Sequence, residues 1–290
     1  MGIKKFSTIS PTTGVVEGKN IKISSCLHTQ HPKIDFKEQS SFLNWFTGFT
    51  DATLKKNYST LNTINNNELS LAVWGTNLSS QVGTGKFTKL VSSMVKLPNY
   101  YYSIVIGLLL SDGWLVFSSK TSKNARLGFK QSLLHFPYFW HVFNVLSPYC
   151  SSYPHFIRGK RNNVNTFSIE FFTKTLPCFT ELYKLFYIDN VKVIPKNIYD
   201  LLTPVALAHW IMGDGGFKSN GVYLCTDSYS IQDVVLLMNV LIIRYKLKCT
   251  LHVSSNKKGY RIYISRKSLN ELKKIVKRYF IPSMLYKLGE

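Results

Sequence analysis

Acidic residues are scarce in this chain. Its 290 residues hold 15 Asp and Glu against 36 Lys and Arg, a formal net charge of +21. A protein so basic is expected to sit on a polyanion. No apolar run reaches the roughly 18 residues that a membrane-spanning helix needs, so no span is expected. Cysteines number five, an odd count without C-x-x-C spacing. That pattern argues against a disulfide framework and against a zinc ribbon, and fits a reducing compartment. The seven histidines include no H-E-x-x-H, and His28 and His31 lack cysteines at finger spacing. The N-terminus has neither the basic, apolar and small-residue order of a secretory signal nor an Arg-rich amphipathic import pattern.

Against this background two carboxylates stand out. Asp112 is the sole acidic residue between Glu68 and Glu170, and Asp214 is the sole one between Asp200 and Asp227. Each closes an apolar stretch and precedes glycine: Val105-Ile-Gly-Leu-Leu-Leu-Ser111-Asp112-Gly113 and Leu207-Ala-His-Trp-Ile-Met-Gly213-Asp214-Gly215. An Asp-Gly pair alone is commonly a turn or cap. Two isolated carboxylates in a basic, phosphate-binding chain point instead to metal ligands, because Mg²⁺ is held by one or two carboxylates with phosphate oxygens and water. One such residue per half-chain can build one active site where two halves meet.

The remaining pattern divides the chain. Residues 1–95, rich in Ser, Thr and Asn, read as an irregular N-terminal extension. Phe42–Phe49 is its one strongly apolar segment and is expected to form a short helix or a docking element. A first half occupies 96–190, then a linker 191–202 and a second half 203–290. Each half predicts the order α-β-β-α-β-β-α. Thr203-Pro204 marks a helix start with a Thr cap and Pro at the first position. Further helices are expected over 132–147, 176–187, 231–245 behind Ser230, and 269–280, where Ser268 and Glu271 would form a capping box. Ser219-Asn-Gly221 signals a hairpin. Thr166, Ser168 and Glu170 alternate with Asn165, Phe167, Ile169 and Phe171, the period of a half-buried strand. The fold class expected is α+β, with half-buried antiparallel sheets, helices on one face and a polar face left open.

The polar strand faces are expected to be basic. Candidate DNA-binding residues are Lys120, Lys123, Arg126, Lys130, Arg158, Lys160, Arg161, Lys218, Lys248, Lys257, Lys258 and Arg261, interleaved with Tyr223 and Tyr263. Residues 216–290 alone carry 14 Lys and Arg against 4 Asp and Glu. Strands can lie in the DNA major groove and read base edges from one face, while phosphate neutralisation supplies salt-sensitive affinity.

The two apolar-Asp-Gly stretches resemble two copies of the motif that names the LAGLIDADG homing endonucleases, in the two-motif, single-chain form encoded in group I introns. The likeness extends over roughly residues 98–290 and includes the strand and helix order after each copy. The resemblance implies two pseudo-symmetric halves forming a saddle of antiparallel sheets, with the motif helices packed at the interface. Gly107, Ser111, Ala208 and Gly213 are the small residues that would permit close approach. His209, where the family has a small residue, implies looser or asymmetric packing of the second helix. Asp112 and Asp214 would be the metal-binding and catalytic acids, holding Mg²⁺ over the minor groove. Basic helpers are implied at Lys196, in Ile194-Pro-Lys196, and Lys287, in Leu285-Tyr-Lys287, and Lys130 could also approach the attacking water. Trp45–Ala52 looks like a broken motif start with Thr53 in place of the acid.

The function implied is site-specific cutting of double-stranded DNA at a long, asymmetric target by a monomer that is a pseudo-dimer. The alternative is a maturase that binds its group I intron RNA. A third reading, a DNA-binding regulator, would not need both acids. The resemblance also implies an organellar, most often mitochondrial, origin.

Overall fold

The computed structural model describes residues 79–161, 163–254 and 259–290. The expected Phe42–Phe49 helix and the Trp45–Ala52 motif remnant lie outside these residues, as do Lys257 and Lys258. Residues 79–88 have no regular element, and 89–95 follow with a short one. They hold a helix, α1 (Lys89–Met94), started by the Thr88 hydroxyl accepting from the Val91 N–H. The Gln81 N–H donates to the Ser147 carbonyl and the Gly83 N–H to the Ser151 carbonyl, both at 3.1 Å. Val82 and Val95 are buried against the first half.

The first half runs α2 (Asn99–Leu110), β1 (Gly113–Phe117), β2 (Ala125–Ser132), α3 (Phe136–Leu146), β3 (His155–Arg161), β4 (Val164–Phe172) and α4 (Pro177–Phe186). A two-stranded hairpin, β5 (Tyr187–Ile188) with β6 (Val191–Lys192), and a short helix α5 (Ile198–Leu201) lead to the second half. That half repeats the order: α6 (Pro204–Asp214), β7 (Gly215–Lys218), β8 (Gly221–Leu224), α7 (Ile231–Tyr245), β9 (Cys249–Val253), β10 (Tyr260–Ile264) and α8 (Leu269–Val276). The sheets have matching topology, β1-β2-β4-β3 and β7-β8-β10-β9, with antiparallel pairing throughout. The α+β architecture and the α-β-β-α-β-β-α order read from the sequence are those of the structure.

Local chemistry accounts for most of the boundaries. Thr203 caps α6 by accepting from the Ala206 N–H at 3.2 Å, with Pro204 at the first position. Ser230 caps α7 by accepting from the Asp233 N–H at 3.2 Å. Ser268 does not form the expected capping box; its hydroxyl accepts from the Lys248 N–H at 2.7 Å, tying β9 to the turn before α8.

The two motif helices are apolar all round, and a helix of that kind belongs in the interior. Helix α2 buries every residue from Ser103 to Leu110, and α6 every residue from Val205 to Met212. They pack against each other more extensively than any other helix pair. Gly107 makes this possible: a Cβ there would stand 2.5 Å from the Ala206 carbonyl oxygen and 2.6 Å from the His209 Cβ. At the other end a Cβ on Gly213 would lie 2.4 Å from the Ser111 Oγ. Three of the four small residues singled out in the sequence therefore sit at close helix contacts. Ala208 is fully buried, but the residues against Gly107 are Ala206 and His209.

His209 does not loosen the packing. It is 1% exposed; its Nδ1 lies 3.2 Å from the Tyr138 hydroxyl, which also reaches the His209 carbonyl at 3.2 Å. Burial lowers its pKa to about 3, so the ring is neutral and the interface carries no buried charge there. The interface is asymmetric, since the opposing position is Gly107.

Replacing Gly107 by alanine forces a methyl group into the backbone of α6. Overpacking of this kind costs about 1–3 kcal/mol. Urea unfolding of Gly107→Ala should show a lowered midpoint; an unchanged midpoint would contradict the close contact.

Candidate active site

The motif helices deliver their acids differently. Helix α2 ends at Leu110 and tightens into a turn, the Ser111 N–H donating to the Leu108 carbonyl at 3.0 Å, so Asp112 lies just beyond the helix. Asp214 is the last residue of α6. The close packing brings the ends together: a Cβ on Gly213 would lie 3.4 Å from Asp112 Oδ2. The two isolated carboxylates of the sequence thus converge at one place, between the first strands of both sheets.

A helix C-terminus leaves carbonyls without intrahelical donors and carries partial negative charge. Two carboxylates there add to it. The structure supplies cations and hydroxyls in response. Lys287, only 4% exposed, donates from Nζ to the Met212 carbonyl at 2.6 Å and the Gly213 carbonyl at 2.5 Å. Lys192 donates from Nζ to the Gly113 carbonyl at 2.9 Å. The Tyr229 hydroxyl, from the second half, donates to the Leu109 carbonyl at 3.3 Å. Burial lowers the Lys192 pKa to about 8, while the negative charges of Asp214 and Asp112 act in the opposite direction.

Asp112 is open to solvent on one side. The protein around its carboxylate nonetheless raises its pKa, and a hydrogen bond from Gln131 and the charges of Lys287 and Lys192 reduce the rise without cancelling it. Gln131 donates from Nε2 to Asp112 Oδ2 at 2.6 Å.

Of the basic helpers expected, Lys287 is in place and Lys196 is not. Lys196 is exposed, while Lys192, four residues earlier, reaches the site. The cause is the β5–β6 hairpin. Asp189 and Asn190 take left-handed φ values of 50° and 63°, the backbone of a tight two-residue turn. This turn pairs Lys192 with Tyr187, whose hydroxyl accepts from the Leu115 N–H at 3.2 Å beside the motif. The segment expected as a plain linker is a structured support for the site.

Lys130 is likewise displaced by register. Along β2 the residues Ala125, Leu127, Phe129 and Gln131 are buried, and Lys130 is exposed between them. Successive strand residues face opposite sides of the sheet. Gln131 therefore reaches Asp112, and Lys130 points to the open face. Counting in twos from Leu127 finds Gln131 without a structure.

The other candidates fall in three groups. On the open face of the first sheet Arg126 and Lys130 share β2, and Lys120 and Lys123 are exposed in the turn before it. The Arg126 guanidinium lies 4.0 Å over the Phe172 ring. On the second sheet Tyr223 pairs with Tyr263, and Arg261 with His252, so the register puts Lys218, Tyr223, Arg261, Tyr263 and His252 on one face. Tyr223 and Tyr263 stand 4.6 Å apart, and the His252 ring 5.1 Å from Tyr263. His252 is not among the sequence candidates; its alternation with Leu251 on β9 is the signal for it. Arg261 is engaged with Asp227, its Nε 3.0 and 2.9 Å from the two carboxylate oxygens. Lys248 is exposed just before β9.

Arg158 and Lys160 depart from the expected basic open face. They pair with Phe167 and Asn165, which share a side with buried Ile169, so register puts them on the opposite side of the sheet from Lys130. The hairpin runs past the helices there, leaving both exposed. Arg161 ends β3.

Two matching sheets, each with an open face, and two motif helices whose ends join their acids define a two-motif LAGLIDADG protein. A family model described as the LAGLIDADG DNA endonuclease family matches residues 102–272, and the chain belongs to that family. Cytochrome b mRNA maturase bI2 of Saccharomyces cerevisiae is 35% identical over 200 residues, covering 64% of this chain and 47% of that protein. This chain thus spans about half the length of that maturase. Intron-encoded endonuclease ai4 of Dictyostelium discoideum is 40% identical over 121 residues, covering 41% of this chain and 76% of that protein. Among solved structures, the homing endonuclease I-WcaI bound to its DNA recognition sequence has a TM-score of 0.64 at 26% identity, covering 71% of this chain and 95% of that one.

The Gln131 hydrogen bond favours the ionised form of Asp112. Its removal in Gln131→Leu should move the Asp112 carboxyl titration to higher pH, read by ¹³C NMR of the metal-free protein in EDTA. A titration unmoved or shifted downward would show that Gln131 does not hold this carboxylate.

Proposed function

We propose that this chain is a site-specific, metal-dependent endonuclease that cuts both strands of a long, asymmetric DNA target, the activity that carries out intron homing. The observation that supports this most is the meeting of Asp112 and Asp214 at one point, each from a different half, below two open sheet faces. A single chain then contains the whole site, so the active species is a monomer. The two halves differ in sequence, so the target is asymmetric.

The donor set suits a hard divalent cation. Two adjacent carboxylates, one open to solvent, match the way Mg²⁺ is held, with phosphate oxygens and water completing its shell. Among the described residues no group of three His, Cys, Asp or Glu side chains forms a closed site for a softer ion. Asp112 and Asp214 would hold Mg²⁺, which when bound would supply Lewis-acid polarisation of the phosphate and a more acidic water.

The chain's own residues have separate tasks. Gln131 fixes the orientation of Asp112 and favours its ionised form. Lys192 and Lys287 hold positive charge beside the reacting phosphate, where negative charge builds in the transition state. Water adds to phosphorus, the 3′ oxygen leaves and takes a proton, and the products are a 3′ hydroxyl and a 5′ phosphate. Lys130, Arg126 and Lys218, with the Tyr223–Tyr263 platform, hold the duplex on the sheets.

A second reading has its own support. Cytochrome b mRNA maturase bI2 is similar over 200 residues of this chain. Binding to group I intron RNA is therefore a second activity, on a chain of organellar, mitochondrial origin.

The test is cleavage of a host-gene DNA library in Mg²⁺. Discrete double-strand cuts are expected from the parent protein, with none from Asp112→Asn or Asp214→Asn, both still folded. Lys192→Met should lower kcat by about 10²-fold or more, the scale of losing one preorganised charge-stabilising group. Cuts that survive either Asp→Asn change would contradict the two-acid site. Absence of any cutting by folded parent protein, with tight intron RNA binding, would leave the maturase reading alone.

A further inference from the structure

A cavity of about 300 Å³ lies between the N-terminal segment and the outer end of the first sheet. Three of its lining residues are cations, Lys86, Arg126 and Lys174, and hydroxyls of Ser92, Ser151 and Thr175 are added to them. Among the described residues no carboxylate lines it. It stands apart from the catalytic site: Arg126 pairs with Val116, three residues along β1 from Gly113, or roughly 10 Å at the rise of a strand.

The walls are held in place. Lys174 donates from Nζ to the Gly85 carbonyl at 2.9 Å and lies 4.1 Å over the Phe87 ring, which fixes the segment that carries Lys86. An ammonium has three donors, and this bond uses one. The Arg126 Nε is buried and has no hydrogen-bond partner among the described residues. Arg126 also lies over Phe172 on the open face, so the cavity is continuous with the face assigned to DNA.

We propose that this cavity is a phosphate-binding site that takes a backbone phosphate of duplex DNA flanking the cut, with the N-terminal segment as part of the DNA interface. The proposal rests on the DNA-binding reading and not on cleavage. The first half alone carries the site, because Lys86 and Ser92 come from residues 79–95. It adds to the asymmetry of the footprint.

The test is binding of the full chain to a linear random-sequence duplex in EDTA, where cutting does not intervene. The observed affinity constant falls with salt, and each neutralised phosphate contributes about 0.9 to the logarithmic slope. Lys86 is exposed, so Lys86→Gln leaves the fold intact; it and Lys174→Gln should each flatten the slope by about 0.9. Thr175→Glu, at an exposed wall position, should weaken binding at fixed salt by placing a carboxylate in the cavity. Lys89→Gln, in the same segment but not lining the cavity, should leave the slope unchanged.

Slopes equal to the parent's for Lys86→Gln and Lys174→Gln would overturn the site. Equal flattening by Lys89→Gln would overturn it too, showing diffuse surface charge. A flattening seen with group I intron RNA and not with duplex would overturn the DNA assignment. Failure of the parent to bind duplex at all would sink the DNA reading itself.

Discussion

The structure depends on how closely two helices approach. At Gly107 the backbone of α6 stands where a side chain would otherwise be, and at Gly213 the Ser111 hydroxyl does so. Glycine is the residue that allows such contact, at a cost in helix stability of about 1 kcal/mol relative to alanine. The cost is accepted twice in helices otherwise filled with Leu, Ile, Val and Trp. The gain is positional. Each acid lies at the end of a motif helix, so the distance between carboxylates is set by the packing of the helices and not by loops.

That packing creates an electrostatic problem, and much of the surrounding chemistry answers it. Two helix C-termini and two carboxylates in one place repel one another. Lys287 reaches the terminal carbonyls of α6, Lys192 reaches the Gly113 carbonyl just past Asp112, and Tyr229 crosses from the second half to the Leu109 carbonyl of α2. Desolvation of its carboxylate by the surrounding protein raises the Asp112 pKa, against the pull of Gln131, Lys287 and Lys192. The neutral state of His209 belongs to the same arrangement. Buried beside Tyr138 and His141, it keeps the interface uncharged along its length, so the unbalanced charge is concentrated at the acids.

Much of this is legible in the residues. Scarcity of acid makes Asp112 and Asp214 conspicuous, and the apolar helices before them have no solvent-facing side to place anywhere but the interior. Strand alternation and the Thr203 and Ser230 caps supply the order of each half. Lys192 escapes a reading of the sequence because its position depends on the Asp189-Asn190 turn, whose left-handed backbone lacks the glycine that usually signals it. Lys196 has a local likeness to Lys287, but a matching tripeptide does not fix where a chain has travelled. Arg158 and Lys160 mislead because a charged residue on a half-buried strand is expected to face solvent on the open side. At the end of a hairpin that outruns its helices, both sides are solvent. The docking of residues 79–95 has no periodic signal at all; it rests on backbone hydrogen bonds to Ser147 and Ser151, on burial of Val82 and Val95, and on Lys174 holding Gly85 and Phe87.

The central claim is that both halves build one metal centre. Fe²⁺ in place of the native ion, with ascorbate and peroxide, generates hydroxyl radicals that cut the polypeptide near the bound metal. The account predicts backbone cuts at both motif ends, around residues 111–114 and 212–215, with both sets lost in Asp112→Asn and in Asp214→Asn alike. Cuts at one motif end only, or one set surviving loss of the other half's acid, would contradict it.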